Sequence, residues 1–189
     1  MSVRKNFDDD IDEVMIEADK LQARITELAR EISADYTHTE DLLLICTLKG
    51  AYIFLSDLSR AIARPHKVEF MAVSSYHGGT ESSGVVQLLL DLRESITDRH
   101  VLIVEDIVDS GNTLSYLREL LLQRKPASLK IVTLLDKPER RTSDVPIDYI
   151  GFEIPDEFVV GYGLDFDELY RNLPHIAILK PRVFAHLFE

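Results

Sequence analysis

Between residues 8 and 34, apolar side chains recur at spacings of three and four: Ile11, Val14, Met15, Ala18, Leu21, Ile25, Leu28 and Ile32. That period is helical and predicts an amphipathic helix over 8–34. Asp8, Asp9 and Asp10 stand at the end where a helix dipole favours negative charge. The pattern then changes to a short, nearly continuous apolar run over 42–48, which stops at Lys49-Gly50. Such a run fits a strand buried on both faces. Helical spacing returns over 51–63 through Tyr52, Leu55, Leu58 and Ile62, and 67–75 reads as a second strand. Residues 76–84 are glycine and small polar residues after Tyr76 and His77, and predict a mobile loop. Further strands are predicted at 85–90, 101–104, 129–135, 149–152, 158–162 and 176–179. A helix is predicted at 113–124, carried by Leu114, Leu117, Leu120 and Leu121.

Strands alternating with helices predict an α/β domain with a parallel sheet covered on both faces. Ligands of such sheets bind beyond the carboxyl ends of the strands. The residues that follow each apolar run are therefore the ones to read for chemistry.

Composition narrows the choice. The chain has 189 residues, 46% hydrophobic and 29% charged, which is ordinary for one globular domain. Its net charge of −12 repels nucleic-acid phosphates over most of the surface, so a phosphorylated ligand requires a local cationic pocket. The single Cys46, inside an apolar run, excludes an intramolecular disulfide and a cysteine-based zinc cluster, and reads as a buried, inert thiol. No run approaches the roughly 20 apolar residues of a membrane helix, and residues 1–10 have no apolar core of a signal peptide. The expected location is cytoplasmic, with neither nucleic acid nor membrane as partner.

The segment 101–114, Val-Leu-Ile-Val-Glu-Asp-Ile-Val-Asp-Ser-Gly-Asn-Thr-Leu, concentrates the chemistry. An apolar strand leads to the adjacent carboxylates Glu105 and Asp106. Asp109 then opens a Ser-Gly-Asn-Thr turn into a helix. A small-residue turn at a helix N-terminus offers free backbone N–H groups and a favourable dipole to an anion. Ser110 and Thr113 add hydroxyls, and Gly111 permits close backbone approach. Paired acids beside that cradle would repel a bare anion. They suit a phosphorylated sugar with vicinal hydroxyls and a bound Mg²⁺. The competing structural reading is a solvated acidic loop that merely caps a helix.

This string resembles the phosphoribosyl-pyrophosphate-binding signature of type I phosphoribosyltransferases. The remainder resembles the hypoxanthine-guanine branch of that family. The resemblance runs from about residue 40 to 179. It rests on Leu48-Lys49-Gly50, Ser75-Tyr76, the acidic signature, Leu135-Asp136-Lys137 with Arg141, the stretch 145–165, and Tyr170-Arg171. Within that stretch, Gly-Phe-Glu-Ile-Pro-Asp at 151–156 and Phe-Val-Val-Gly-Tyr at 158–162 are specific to the branch.

The resemblance implies a mostly parallel twisted sheet flanked by helices, in one domain over 1–189. The helix 8–34 and the C-terminal segment 150–189 would form a small hood. It implies transfer of phosphoribose from phosphoribosyl pyrophosphate to a 6-oxopurine, with release of pyrophosphate. Glu105 and Asp106 would serve the ribose hydroxyls and Mg²⁺. Asp109 would be the general base or acceptor at the purine's five-membered ring, a role worth about 10²–10⁴-fold in rate. Ser110, Gly111, Asn112 and Thr113 would cradle the 5′-phosphate, with Asn112 used through its backbone. Lys49 (entered through a cis peptide), Gly50 and Arg171 would meet the pyrophosphate. Lys137 would donate to the 6-oxo group, Phe158 would stack on the purine, and Val159 would offer its backbone. Asp165 would sit near a second Mg²⁺ and the base's 2-position. Ser75, Tyr76 and Arg141 would act in closure of a lid over the site. A homodimer or homotetramer is expected, with the helix 51–63 as a candidate interface.

Three alternatives stand beside this reading. One is a relative that prefers xanthine or guanine. Another is a regulator of the same fold that senses phosphoribosyl pyrophosphate, which usually needs a basic RNA-binding face or an added DNA-binding domain. The third is a catalytically silent homologue, against which Lys49, Asp109, Lys137 and Arg171 speak.

Overall fold

The computed structural model describes residues 7–75 and 86–185. Tyr76 and the rest of the expected lid at 76–84 lie outside the described residues. In chain order the elements are β1 (Ile11–Ile16), α1 (Ala18–Asp35), β2 (Leu42–Leu48), α2 (Tyr52–Ala61), β3 (His66–Ser75) and β4 (Val86–Leu90). They continue with β5 (His100–Val108), α3 (Asn112–Leu122), β6 (Ser128–Asp136), β7 (Tyr149–Glu153), β8 (Val159–Val160), β9 (Ile176–Leu179) and α4 (Pro181–Phe184).

Six strands form the main sheet in the order β4-β3-β2-β5-β6-β7. Every pairing is parallel except β3 with β4, which is antiparallel at the edge. β2 explains why the sequence run is continuous. Its alternate side chains Leu42, Leu44 and Cys46 join α1 and α2 in one core, while Leu43 and Ile45 join α3 in the other. Successive strand residues point to opposite faces, so a strand covered on both sides needs apolar residues at every position. Burial pushes the Cys46 thiol up to about 12, which keeps it protonated and inert.

The expected helix 8–34 begins only at Ala18. Residues 11–16 are instead a strand, antiparallel to β9, and with β8 they make a separate three-stranded sheet in the order β1-β9-β8. The apolar spacing at 11–15 fits a helix, but pairing with Ile176–Leu179 prevails. The small sheet is tied down at its edge: Tyr170 Oη donates to Asp10 Oδ2 at 2.8 Å, and Arg182 lies 3.3 Å from Asp10 Oδ1. Helix α1 packs on the main sheet through Leu21, Ile25, Leu28 and Ile32. A second difference matters for the site. β5 does not end at Val104 but runs to Val108, because β6 keeps pairing with it: Glu105 lies opposite Thr133, Ile107 opposite Leu135 and Val108 opposite Asp136. Glu105 and Asp106 are therefore strand residues. No described helix is long and apolar enough to cross a membrane.

Candidate active site

β2, β5 and β6 are parallel neighbours, so their carboxyl ends deliver Lys49-Gly50, Asp109 and Lys137 to one edge of the sheet. Two cavities open there. The first, about 280 Å³, is lined by Thr47, Gly50, Glu105, Asp106 and the turn Asp109-Ser110-Gly111 with Thr113. The second, about 440 Å³, is lined by Lys137, Phe158, Val159, Asp165 and also Ile107, Arg140 and Asp156. Asp109 and Ile107 belong to both walls, so the cavities meet at Asp109.

The turn of the first cavity is shaped by Gly111. Its φ of +82° is left-handed, and a Cβ there would sit 3.0 Å from Arg141 Cδ. Gly111 is the N-cap of the 11-residue α3 and has no side chain to cap it; the N–H of Asn112 donates to Ser110 Oγ at 3.4 Å. Ser110 O accepts from the N–H groups of Thr142 and Ser143 at 3.0 and 3.1 Å, which fixes the loop from behind. The Asn112 carbonyl oxygen accepts from the hydroxyls of Thr142 and Ser143, so its side chain is spent on that scaffold.

The acids sit differently from a chelating pair. Glu105 is buried, and Thr47 Oγ1 donates to its Oε1 at 2.7 Å. Burial, with the neighbouring charge of Asp106, pushes the Glu105 carboxyl up to about 8. Asp106 is half-buried, and its Oδ1 accepts from the Ile107 N–H at 2.8 Å. Burial raises it to about 6, opposed by that backbone N–H and by Arg171. Gly50 makes room for Asp106: a Cβ at position 50 would lie 1.6 Å from Asp106 Oδ2. Among the described residues no three acidic, histidine or cysteine side chains gather around one point. The donors near the turn are all oxygens: Thr47, Glu105 and Asp106. That set fits Mg²⁺, a hard cation usually held by one or two carboxylates while water and substrate phosphates complete its shell.

Lys49 and Arg171 stand outside the lining of both cavities and are paired with acids. The Leu48–Lys49 peptide is cis. Lys49 Nζ lies 2.9 Å from Glu168, and Arg171 lies 2.9 Å from Asp165 and 3.2 Å from Glu168. Arg171 Nη1 donates to Gly163 O at 2.8 Å, while its buried Nε has no hydrogen-bond partner. Arg141 lines neither cavity. It pairs with Asp136 and donates to Asp109 O at 3.3 Å, a brace beneath the turn. Ser75 closes β3.

In the second cavity, Lys137 is buried, and its Nζ donates to Glu157 O at 2.7 Å and lies 3.5 Å from Asp156. An ammonium has three donors, so a further acceptor can be served. Phe158 stacks on Phe184 at 4.7 Å and meets Phe166 edge-on at 5.5 Å. Arg140 Nε stands 2.6 Å from Asp109 Oδ1.

Sequence reasoning missed Thr47, Ile107, Arg140, Asp156, Glu168 and Phe184. Ile107 had a readable signal, since it stands between Asp106 and Asp109. The others are brought in by tertiary contacts that no local spacing encodes.

Comparison with known proteins agrees with the geometry. Residues 15–167 match the family model described as a phosphoribosyl transferase domain. The chain is 56% identical over 180 residues to the hypoxanthine-guanine phosphoribosyltransferase of Mycobacterium avium, covering 93% of this chain and 89% of that one. It is 50% identical to the enzyme of the same name from Staphylococcus aureus, covering 94% and 98%. A crystal structure of a hypoxanthine phosphoribosyltransferase from Staphylococcus aureus superposes with a TM-score of 0.91 at 49% identity, covering 97% of this chain and 99% of that one.

Proposed function

The chain belongs to the phosphoribosyltransferase family, and from that premise we propose that it is a purine-salvage enzyme. It transfers the 5-phosphoribosyl group from phosphoribosyl pyrophosphate to hypoxanthine or guanine and releases pyrophosphate. The observation that carries this reading is the meeting of an anion-cradling cavity and an aromatic, cation-bearing cavity at one carboxylate, Asp109.

The residues divide the work. The backbone amides of 110–113, at the N-terminus of α3, hold the 5′-phosphate. Glu105 and Asp106 face the ribose hydroxyls, with Asp165 across the site. These carboxylates are also the residues that would hold Mg²⁺, which when bound neutralises pyrophosphate charge. Lys49 and Arg171 exchange their partners Asp165 and Glu168 for the leaving pyrophosphate, and the free Arg171 Nε is a donor ready for it. As the ribose–pyrophosphate bond breaks, the sugar gains positive charge and the purine nitrogen attacks. Asp109 accepts the N–H of the imidazole ring, which raises the nitrogen's nucleophilicity. Lys137 donates to the 6-oxo oxygen, and adenine offers only an amino group there, leaving a buried donor unpaired. Phe158 supplies the stacking face, and Val159, paired with Ile178 in the small sheet, supplies backbone groups.

The reading extends to one domain over 1–189, acting in the cytoplasm as a homodimer or homotetramer. Exposed Tyr52, Val68 and Phe70, beside a surface cavity of about 350 Å³ on α2 and β3, support self-association.

The test is direct. Purified protein is incubated with phosphoribosyl pyrophosphate, Mg²⁺ and each purine in turn. Nucleoside monophosphate and pyrophosphate should form from hypoxanthine or guanine, not from adenine, and excess chelator should abolish both. No product from any 6-oxopurine would overturn the reading, and full turnover in chelator would overturn the roles given to Glu105, Asp106 and Asp165.

A further inference from the structure

Arg140 occupies a position that the roles above do not use. It ends a short 3-10 turn, Pro138–Arg140, directly after Lys137. Its side chain spans two carboxylates on the wall of the second cavity. Nε lies 2.6 Å from Asp109 Oδ1, and Nη1 lies 3.3 Å from Asp156 Oδ2. Asp109 belongs to the turn after β5, and Asp156 to the connection between β7 and β8. The guanidinium therefore bridges the two sides of the cavity that Phe158 also lines.

The contact with Asp109 is a close ion pair, and the Oδ1 it meets is buried. Arg140 thus covers the oxygen that a ring N–H needs. It lines the same cavity as Phe158 and Asp109. Asp156 offers the cation a second resting place. Lys137 also leans on Asp156, at 3.5 Å, but is held independently by Glu157 O at 2.7 Å. Arg141 cannot substitute for its neighbour, because Asp136 and Asp109 O already engage it.

We propose that Arg140 is a positioning residue that gates the purine cavity, holding Asp109 in the resting site and passing to Asp156 when the purine N–H arrives. The proposal rests on the reading of the second cavity as the purine site. It treats Arg140 as a competitor of the substrate for Asp109, which sets the sign of the prediction. A residue that contacted the purine directly would have the opposite sign.

Steady-state kinetics with hypoxanthine at saturating phosphoribosyl pyrophosphate test this, using wild type, Arg140→Ala, Asp156→Asn and the double variant. The exposed ion pair is weak, so the expected shift is about two- to fivefold. Arg140→Ala should lower KM for hypoxanthine by that factor, with kcat little changed. Asp156→Asn should raise KM by a similar factor, because the displaced cation loses its second partner. The double variant should match Arg140→Ala, since without the cation Asp156 has nothing to receive. An Arg140→Ala variant with unchanged or raised KM, beside an active wild type, would overturn the gate alone. A wild type that turns over no 6-oxopurine would overturn the underlying reading as well.

Discussion

Glu105 is an acid held where ionisation is costly. Its ordinary carboxyl value is 4.5, and burial beside Asp106 raises it to about 8. Between those values the folded protein binds a proton that the unfolded chain has released. By linkage, stability then falls as pH rises through that window, and the full penalty stands above about 8. Glu105→Gln removes the charge but keeps an oxygen for the Thr47 hydroxyl. In chelator, urea unfolding should show the variant more stable than wild type at pH 9, with the two converging toward pH 5. A difference that is the same at both pH values would contradict the buried-acid account. In the function proposed above, a cation arriving with the substrate would relieve that penalty.

Elements matter at this site through where they end. The carboxyl end of β2 passes so close to β5 that position 50 has no room for a side chain beside Asp106. Gly50→Ala should leave the fold intact, because the obstructing atoms belong to one side chain that can rotate. That rotation pulls Asp106 from the Ile107 N–H and from the site. We expect KM for phosphoribosyl pyrophosphate to rise by about tenfold or more, equal to about 1.4 kcal/mol, with a melting temperature near that of wild type. An unchanged KM would remove Asp106 from the binding site. Much of this level was legible beforehand. β2 announced its two buried faces through Leu42 to Cys46, and the small-residue turn at 109–113 announced the start of α3. Two boundaries were not legible. The spacing of Ile11, Val14 and Met15 fits a helix, and only the distant strand Ile176–Leu179 decides otherwise. The length of β5 depends on β6, so Glu105 and Asp106 stand inside a strand rather than after its end, and both line the first cavity. Arg140 was invisible for a related reason: an arginine in a polar run acquires meaning only when folding sets it against Asp109.

For the whole molecule, the net charge of −12 conceals a local reversal. Lys49, Lys137, Arg140, Arg141 and Arg171 converge on the edge where β2, β5 and β6 end, and in the resting protein each is paired with a carboxylate or a carbonyl. In the function proposed above, Lys49 and Arg171 would exchange those partners for phosphate oxygens, and Lys137 would add the purine's 6-oxo oxygen. The central claim is that both halves of the reaction meet at Asp109. Asp109→Asn tests it, with kcat for hypoxanthine and the Kd of phosphoribosyl pyrophosphate measured on the same preparation. The account predicts a kcat lower by about 10²-fold or more, with Kd within a few-fold of wild type. Wild-type turnover in the variant, or a loss confined to phosphoribosyl pyrophosphate binding, would contradict it.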